Sequence, residues 1–499
     1  MKNPIAFLFS REETETHVNN REILSYATGL AGQNISYGFT SGRLTYFYEN
    51  HAVSQERASI VGKLMTYTYL WDAVNDMLVG AWVDRAAHKP YQKMRPYLLY
   101  FPPFIGLLCA FMFMRMGSND VFKLIYLGVL YFVWDLLYSF QDVGLWGLLA
   151  LSSPHSHERS RIAQWVTIGA GAGSTVAGAF PILWDVLKGS MPESRIFTIF
   201  AFVFGLGGEL LSVRAAKFRE RVDSPVQQEE NIWQSLSIVR HNPTLIFISL
   251  ARFSQGLSPK INQTYFFQSE YRNSTSSLLK GGSAEVIYGI LSGAPGAVTL
   301  LFANKFIDKV GGMKKTLILS QVTAIVMRLA AFGLGSIPAL HYAKPVGFIV
   351  MCVLTAIYNI PGSLMDICHR SLTSDSIDEV ELKTGVRSEG VSFSMQNFTT
   401  KLTSGVSTRI QNFFLYNVLK YVAYDDEKYI FMQGEEFYKW QFPLFMLGPI
   451  VGAVLYIFFI SFVKDNKQHR AEVEAALKAR RAAAAGETED EAAVAEIDQ

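Results

Sequence analysis

The 499-residue chain is half hydrophobic and only 18% charged, carries 36 Phe and 23 Tyr, and has a formal net charge of +2. A soluble globular chain carries about 25% charged residues, so lipid is the expected solvent for much of this one. So small a net charge excludes a general nucleic-acid partner, and any basic bias has to be sought loop by loop.

The first residues hold one short apolar patch, Ile5 to Phe9, before a charged run, which is too little for a cleaved secretory signal. A membrane-crossing helix needs roughly 20 mostly apolar residues. Twelve stretches fit, at 23–48, 58–83, 96–116, 121–150, 162–188, 195–215, 243–269, 283–303, 314–335, 344–369, 387–420 and 437–463. An all-α bundle of this kind closes its backbone hydrogen bonds internally, which is the condition for crossing lipid without a barrel. Cys109, Cys352 and Cys368 lie far apart within apolar stretches, a spacing that predicts neither a disulfide framework nor a zinc site and reads as packing.

Lys and Arg gather in the even-numbered connections: Arg85, Lys89, Lys93 and Arg95; Arg159 and Arg161; Lys217, Arg219 and Arg221; Lys305, Lys309, Lys314 and Lys315. By the positive-inside rule these connections and both termini are expected in the cytoplasm, with the chain multi-pass in the inner or plasma membrane. The expected organisation is a cytoplasmic N-terminus (1–22), a six-helix half (23–215), a cytoplasmic linker (216–242), a second six-helix half (243–463) and a partly disordered cytoplasmic tail (464–499). An internal repeat supports two halves. GAWVDRAAHKPYQKMRPYLL from Gly80 and ANKFIDKVGGMKKTLIL from Ala303 place Asp84 and Asp308 alike, each acid followed by a basic turn. Such a six-plus-six duplication resembles the major facilitator fold, whose halves are parallel repeats.

The sharper signal is charge within the expected spans. LWDAVNDMLVG puts Asp72, Asn75 and Asp76 at i, i+3 and i+4, on one helix face. A charge at mid-bilayer costs roughly 2.5–3.5 kcal/mol even on the lenient insertion scale, so paired acids there imply a positive partner. Counted from Asp84 at 1.5 Å per residue, Asp72 lies about 18 Å deep; counted from Arg387, Lys401 lies about 21 Å deep. Two acids and one ammonium leave one net negative charge for a monovalent cation or a proton.

Together, WDAVNDMLVGAWVDR, KMRPYLLY, DVGLW and TGVRSEGVSFSMQNFTTK resemble the glycoside–pentoside–hexuronide cation symporters, the melibiose-permease family, and the resemblance runs over nearly the whole chain. It implies a sodium site at Asp72, Asn75 and Asp76, with Ser139 in place of the usual Thr and Lys401 beside it. Na+ is then the coupling ion, with H+ or Li+ as alternatives and no organic cofactor. On the fourth helix the resemblance implies Asp142 as a hydrogen-bonding acid and Trp146 as a stacking indole for a sugar. The family's first-helix Asp appears here as Asn34, after Gln33, and a fifth-helix Arg is replaced near Thr167; both departures weigh against a galactoside while the solute class stands. A cytoplasmic gate is expected from Asp84, Arg159, Asp375, Asp378, Arg387 and Glu389, which match family positions at the cytoplasmic mouth.

Blander readings apply elsewhere. His155 and His157 read as solvated loop; Arg252 and Lys260 in the seventh span read as partners of Glu270 or of carbonyls, or of an anionic sugar; Tyr265, Phe266 and Phe267 read as packing and interface belt. The sequence therefore predicts a monomeric transporter that couples a cation to a small sugar or glycoside by alternating access. A lipid or lysolipid carrier is the alternative within transport, against which Gln33, Asn34 and Asp142 count. A transport-inactive nutrient sensor would be expected to carry an added signalling domain, and for an enzyme no nucleophile, base and orienting group occur together at reactive spacing.

Overall fold

The structure is a computed structural model that describes residues 18–86, 89, 91–117, 119–153, 156–222, 242–272, 279–384, 389–423, 433–463, 472–473 and 476. The described residues are helical and connecting segments, without a strand. By spatial contact the chain divides into unit 1 (Met1–Leu64, Val74–Gln228 and Ala423–Ile430) and unit 2 (Met65–Ala73, Glu229–Val422 and Phe431–Gln499).

Helices α1 (Asn20–Phe47), α2 (Gln55–Arg85), α3 (Arg95–Met112), α4 (Asp120–Ala150), α5 (Ser156–Gly178), α6 (Phe180–Leu187), α7 (Glu193–Phe200) and α8 (Gly207–Ser212) precede the linker. Helices α9 (Pro243–Gly256), α10 (Gln263–Glu270), α11 (Gly281–Leu300), α12 (Ala303–Val310), α13 (Met313–Gly335), α14 (Pro345–Gly362), α15 (Met365–Thr384), α16 (Glu389–Phe413), α17 (Glu435–Met446) and α18 (Gly448–Ser461) follow it. Each of the twelve expected spans overlaps at least one of them. Among the described residues seven helical segments are long and apolar enough to cross a membrane, or eight if α11 and α12, bent by 84°, make one span.

Local sequence explains several starts. The side chains of Asn19, Asn119, Asn242 and Asn262 accept from the backbone N–H of Arg21, Val121, Leu245 and Thr264, satisfying first-turn donors that the helix cannot. Glu220 does the same for α3 from a distance, accepting from the N–H groups of Lys93 at 2.9 Å, Met94 at 2.8 Å and Arg95 at 3.2 Å, where the helix dipole favours an anion.

Two boundaries differ from expectation. The seventh span is not one helix: α9 ends at Gly256 and α10 begins at Gln263, and the connection holds Pro259 two residues after Leu257, where proline's missing N–H and fixed φ prevent continuation. The tenth span runs on, since α15 continues to Thr384 rather than ending near 369.

In unit 1 the helices approach through small residues. A Cβ on Gly169 or Gly173 would overlap the carbonyl oxygens of Ala27 and Ala31, so α5 lies directly against α1 with four-residue spacing on both sides. Its buried cluster includes Tyr26, Leu30, Val79, Leu98, Leu145, Leu148 and Ile162. In unit 2, Gly448 and Gly452 of α18 meet Pro259 and Ser258 as closely, and Ile248, Ala251, Leu317, Cys368, Leu372 and Tyr456 lie in the core. The apolar surplus faces outward. On α4, Phe122, Ile125, Val129, Phe132 and Val133 are exposed, a continuous apolar surface that water would not tolerate and lipid does.

Candidate functional site

In unit 1 the chemistry gathers on one face of α4, where Asp135, Ser139, Asp142 and Trp146 follow at i, i+4, i+7 and i+11. Asn75 of α2 is 1% exposed, and its Nδ2 donates to Ser139 Oγ at 2.9 Å and to Asp135 Oδ2 at 3.3 Å. Ser139 Oγ donates to Asp76 Oδ1 at 2.8 Å and also lies 3.0 Å from the Asp135 carbonyl. Asn75 Oδ1 is buried with no hydrogen-bond partner, an acceptor left over in a place where such atoms are normally satisfied. Asp135, 3% exposed, is a member of this cluster that sequence reasoning missed. Its position one turn before Ser139 was the available signal.

A neighbouring polar group joins α1 to α4. Gln33 Nε2 donates to Asp142 Oδ1 at 3.0 Å and to the Tyr138 hydroxyl at 2.8 Å, and its Oε1 accepts from Asn34 Nδ2 at 3.1 Å. Ser174 Oγ of α5 donates to Asn34 Oδ1 at 3.3 Å. Tyr138 stacks on Tyr37, centroids 4.9 Å apart, and on Trp134 at 5.3 Å, an aromatic run beside the amides that the sequence did not single out. Trp146 is exposed, with 47% of its surface open. Thr167 turns its hydroxyl back to Ala163 O of its own helix.

In unit 2, Lys401 of α16 donates to Asp72 Oδ1 at 2.6 Å, with each side chain about one-fifth exposed (22% and 21%), and lies 3.3 Å from the Asp72 carbonyl. The depths counted along the two helices thus bring together groups 329 residues apart. Arg252 does not pair with Glu270. Its Nη2 reaches Asp366 Oδ1 at 3.1 Å, while Glu270 accepts from Gln441 Nε2. Tyr265, Phe266 and Phe267 are buried, as packing residues are, with Phe266 stacked on Phe445 at 4.3 Å.

Of the expected gate, Arg159 Nη1 donates to Ser153 O at 2.8 Å in unit 1, and Asp375 and Asp378 lie on α15 in unit 2. Asp84 is in α2 and Glu389 begins α16, but their side chains, like Arg387, His155 and the His157 side chain, lie outside the described residues. Among the described residues no group of three or more His, Cys, Asp or Glu is arranged to hold a metal ion. An ion beside Asp76 would meet that carboxylate and the neutral oxygens of Asn75 and Ser139, with the Asp135 carboxylate in the same cluster.

The helical fold and its polar α4 face fit the family that the sequence matches, one of sugar transporters. The chain belongs to the MFS/sugar transport protein family, whose model matches residues 25–467, and within it to the glycoside–pentoside–hexuronide cation symporters. It is 25% identical over 461 residues to the isoprimeverose transporter of Lactiplantibacillus pentosus, covering 89% of each chain. It is 22% identical over 400 residues to the lactose permease of Lactobacillus delbrueckii subsp. bulgaricus, covering 77% of this chain. The chain spans 61% of the length of that permease and of the raffinose carrier protein of Pediococcus pentosaceus. The crystal structure of the nucleoside transporter NupG shares the fold at a TM-score of 0.56 and 15% identity, covering 90% of this chain and all of that one.

Proposed function

We propose that this protein is a symporter that couples Na+, or alternatively H+ or Li+, to a sugar or glycoside by alternating access, as a monomer in the inner or plasma membrane with both termini in the cytoplasm. The observation that carries the reading is the Asn75, Asp76 and Ser139 cluster, a carboxylate with neutral oxygens in which the Asn75 carbonyl oxygen has no protein partner. Asp76, Asn75 and Ser139 supply hard oxygen donors of the kind a small alkali cation takes. Asp72, one turn earlier on α2, is the second acid of the site, and Lys401 meets its charge. Coupling is proposed to lie in the reciprocal dependence of cation and sugar affinity.

The sugar is assigned to Gln33, Asn34, Asp142 and Trp146. The carboxylate and the amides hydrogen-bond hydroxyls, and the exposed indole packs on the ring's apolar face. The substrates named for the lactose, raffinose and isoprimeverose carriers support this solute class. Asp84, Arg159, Asp375, Asp378, Arg387 and Glu389 are proposed as the cytoplasmic gate, formed in one conformer and solvated in the other. The test is uptake of a panel of labelled mono-, di- and trisaccharides into proteoliposomes under an imposed Na+, Li+ or H+ gradient. Accumulation of at least one sugar above equilibrium under one gradient is expected. Equilibration without accumulation under all three would remove coupling from the account.

A further inference from the structure

Behind the α4 face that carries Ser139 and Asp142 lies a second polar cluster, wholly inside unit 1. Glu209 of α8 is 0% exposed, and so are Gln141 of α4, Ser36 of α1 and Ser212. Gln141 Nε2 donates to Glu209 Oε2 at 2.7 Å and to Ser212 Oγ at 2.8 Å, which uses both of its hydrogens. Three atoms are left without a hydrogen-bond partner: Glu209 Oε1, Gln141 Oε1 and Ser36 Oγ.

Among the described residues the surroundings offer no counter-charge. On the α1 side Gly32 and Gly208 meet backbone to backbone, and on the α3 side a Cβ at Gly106 would lie 3.0 Å from Glu209 Cβ. The titratable neighbour there is Cys109, whose Sγ is 2.9 Å from Thr40 Oγ1. Among the described residues Glu209 makes no ion pair.

An ionised carboxylate only accepts, and so does the Gln141 oxygen; the Ser36 hydroxyl beside Glu209 can serve one of these two acceptors and leaves the other without a donor. A proton on Glu209 Oε1 supplies the missing donor and removes a charge whose burial among neutral groups is strongly unfavourable. With Nε2 of Gln141 already on Oε2, a protonated Oε1 completes an acid–amide pair; an ionised one leaves acceptors unmatched.

We propose that Glu209 binds a proton and, as the neutral acid, positions α4 from behind through Gln141, keeping Ser139 and Asp142 in register. Loss of the proton breaks the acid–amide pair and weakens sugar binding. Glu209 touches neither ligand and is a positioning residue; the sugar readout rests on the transport reading above, whereas the proton itself does not.

The test uses the purified full chain in lipid nanodiscs, as parent, Glu209→Gln and Glu209→Asp. A carboxamide keeps the shape and neutrality of the protonated acid, whereas the shorter Asp cannot reach Gln141. Infrared difference spectra between roughly pH 6 and roughly pH 10 should show a protonated-carboxyl band in the parent that Glu209→Gln lacks. At saturating Na+ the sugar Kd of the parent should rise roughly tenfold over that range and that of Glu209→Gln should stay flat, with Glu209→Asp roughly tenfold weaker throughout. Absence of the band, the same alkaline loss in Glu209→Gln, or a Gln variant that fails to insert would each overturn the proposal. If the parent binds no sugar, the transport reading fails while the band, and the alkaline fall in melting temperature that Glu209→Gln should lack, still decide the role of Glu209.

Discussion

Two acids of α2, one turn apart and assigned to different units, have different partners: Asp76 accepts from the Ser139 hydroxyl and Asp72 from the Lys401 ammonium. On α4 of unit 1, Ser139 donates to Asp76 and Asp142 accepts from Gln33, both neutral partners; in unit 2, Lys401 meets Asp72 and Arg252 meets the exposed Asp366, while Glu270 and Glu285 accept from Gln441 and Thr264. A neutral donor fixes a carboxylate without cancelling its charge, whereas an ammonium or guanidinium does both. The proposed function places the cation at the carboxylate beside Ser139 and gives Lys401 the neutralisation of Asp72.

Substitutions can break that contrast. The largest effect is expected for Asp76→Asn, which should lower gradient-driven uptake on the order of 100-fold while the protein still inserts and melts within a few degrees of the parent. Retained accumulation would move the cation elsewhere. Lys401→Met should act on stability as well, because it strands Asp72. Since the pair is about one-fifth exposed, the cost is expected below the range for a fully buried pair, at about 2 kcal/mol by thermal melting. Adding Asp72→Asn to that variant should recover most of the loss, and no recovery would mean that Lys401 does its work with another group.

Smaller effects fall on the sugar side. Asp142→Asn should raise sugar Kd about tenfold by calorimetry and shift Na+ half-saturation far less, since it weakens a charge-assisted bond and not the ion's ligands. Trp146→Ala should cost about fivefold in the same assay, the loss of one stacking face. Equal losses of Na+ and sugar affinity in either variant would mean that the face of α4 is one site and not two adjacent ones.

What could be read from sequence was whatever repeats within one helix. The i, i+3, i+4 set of Asp72, Asn75 and Asp76 fixes its own face, and residue counts along α2 and α16 were enough to bring Lys401 to Asp72. Asp135 and Tyr138 escaped notice although both sit on α4, because their meaning depends on Asn75 and Gln33 of other helices. Glu209 was invisible for the same reason: its partner is 68 residues away, and nothing local marks Gln141 as its donor. The break between α9 and α10 was legible in Pro259 but lay within a stretch whose overall apolarity spoke for one helix. The segments that fall short of a long apolar span, α1, α2, α9 with α10, and α16, are those that carry Gln33, Asp76, Arg252 and Lys401. The polar residues on these helices blur their spans, whereas α4 stays apolar enough to qualify although it carries Ser139, Asp142 and Trp146.

If one cation and one sugar share a binding free energy, each must tighten the other, and reciprocal titration measures both effects. Sugar Kd would be measured with and without saturating Na+, and Na+ half-saturation with and without saturating sugar, on the same preparation. The account predicts that the two factors agree, at about tenfold or more, as linkage requires. A sugar affinity unchanged by Na+, Li+ and pH would contradict it.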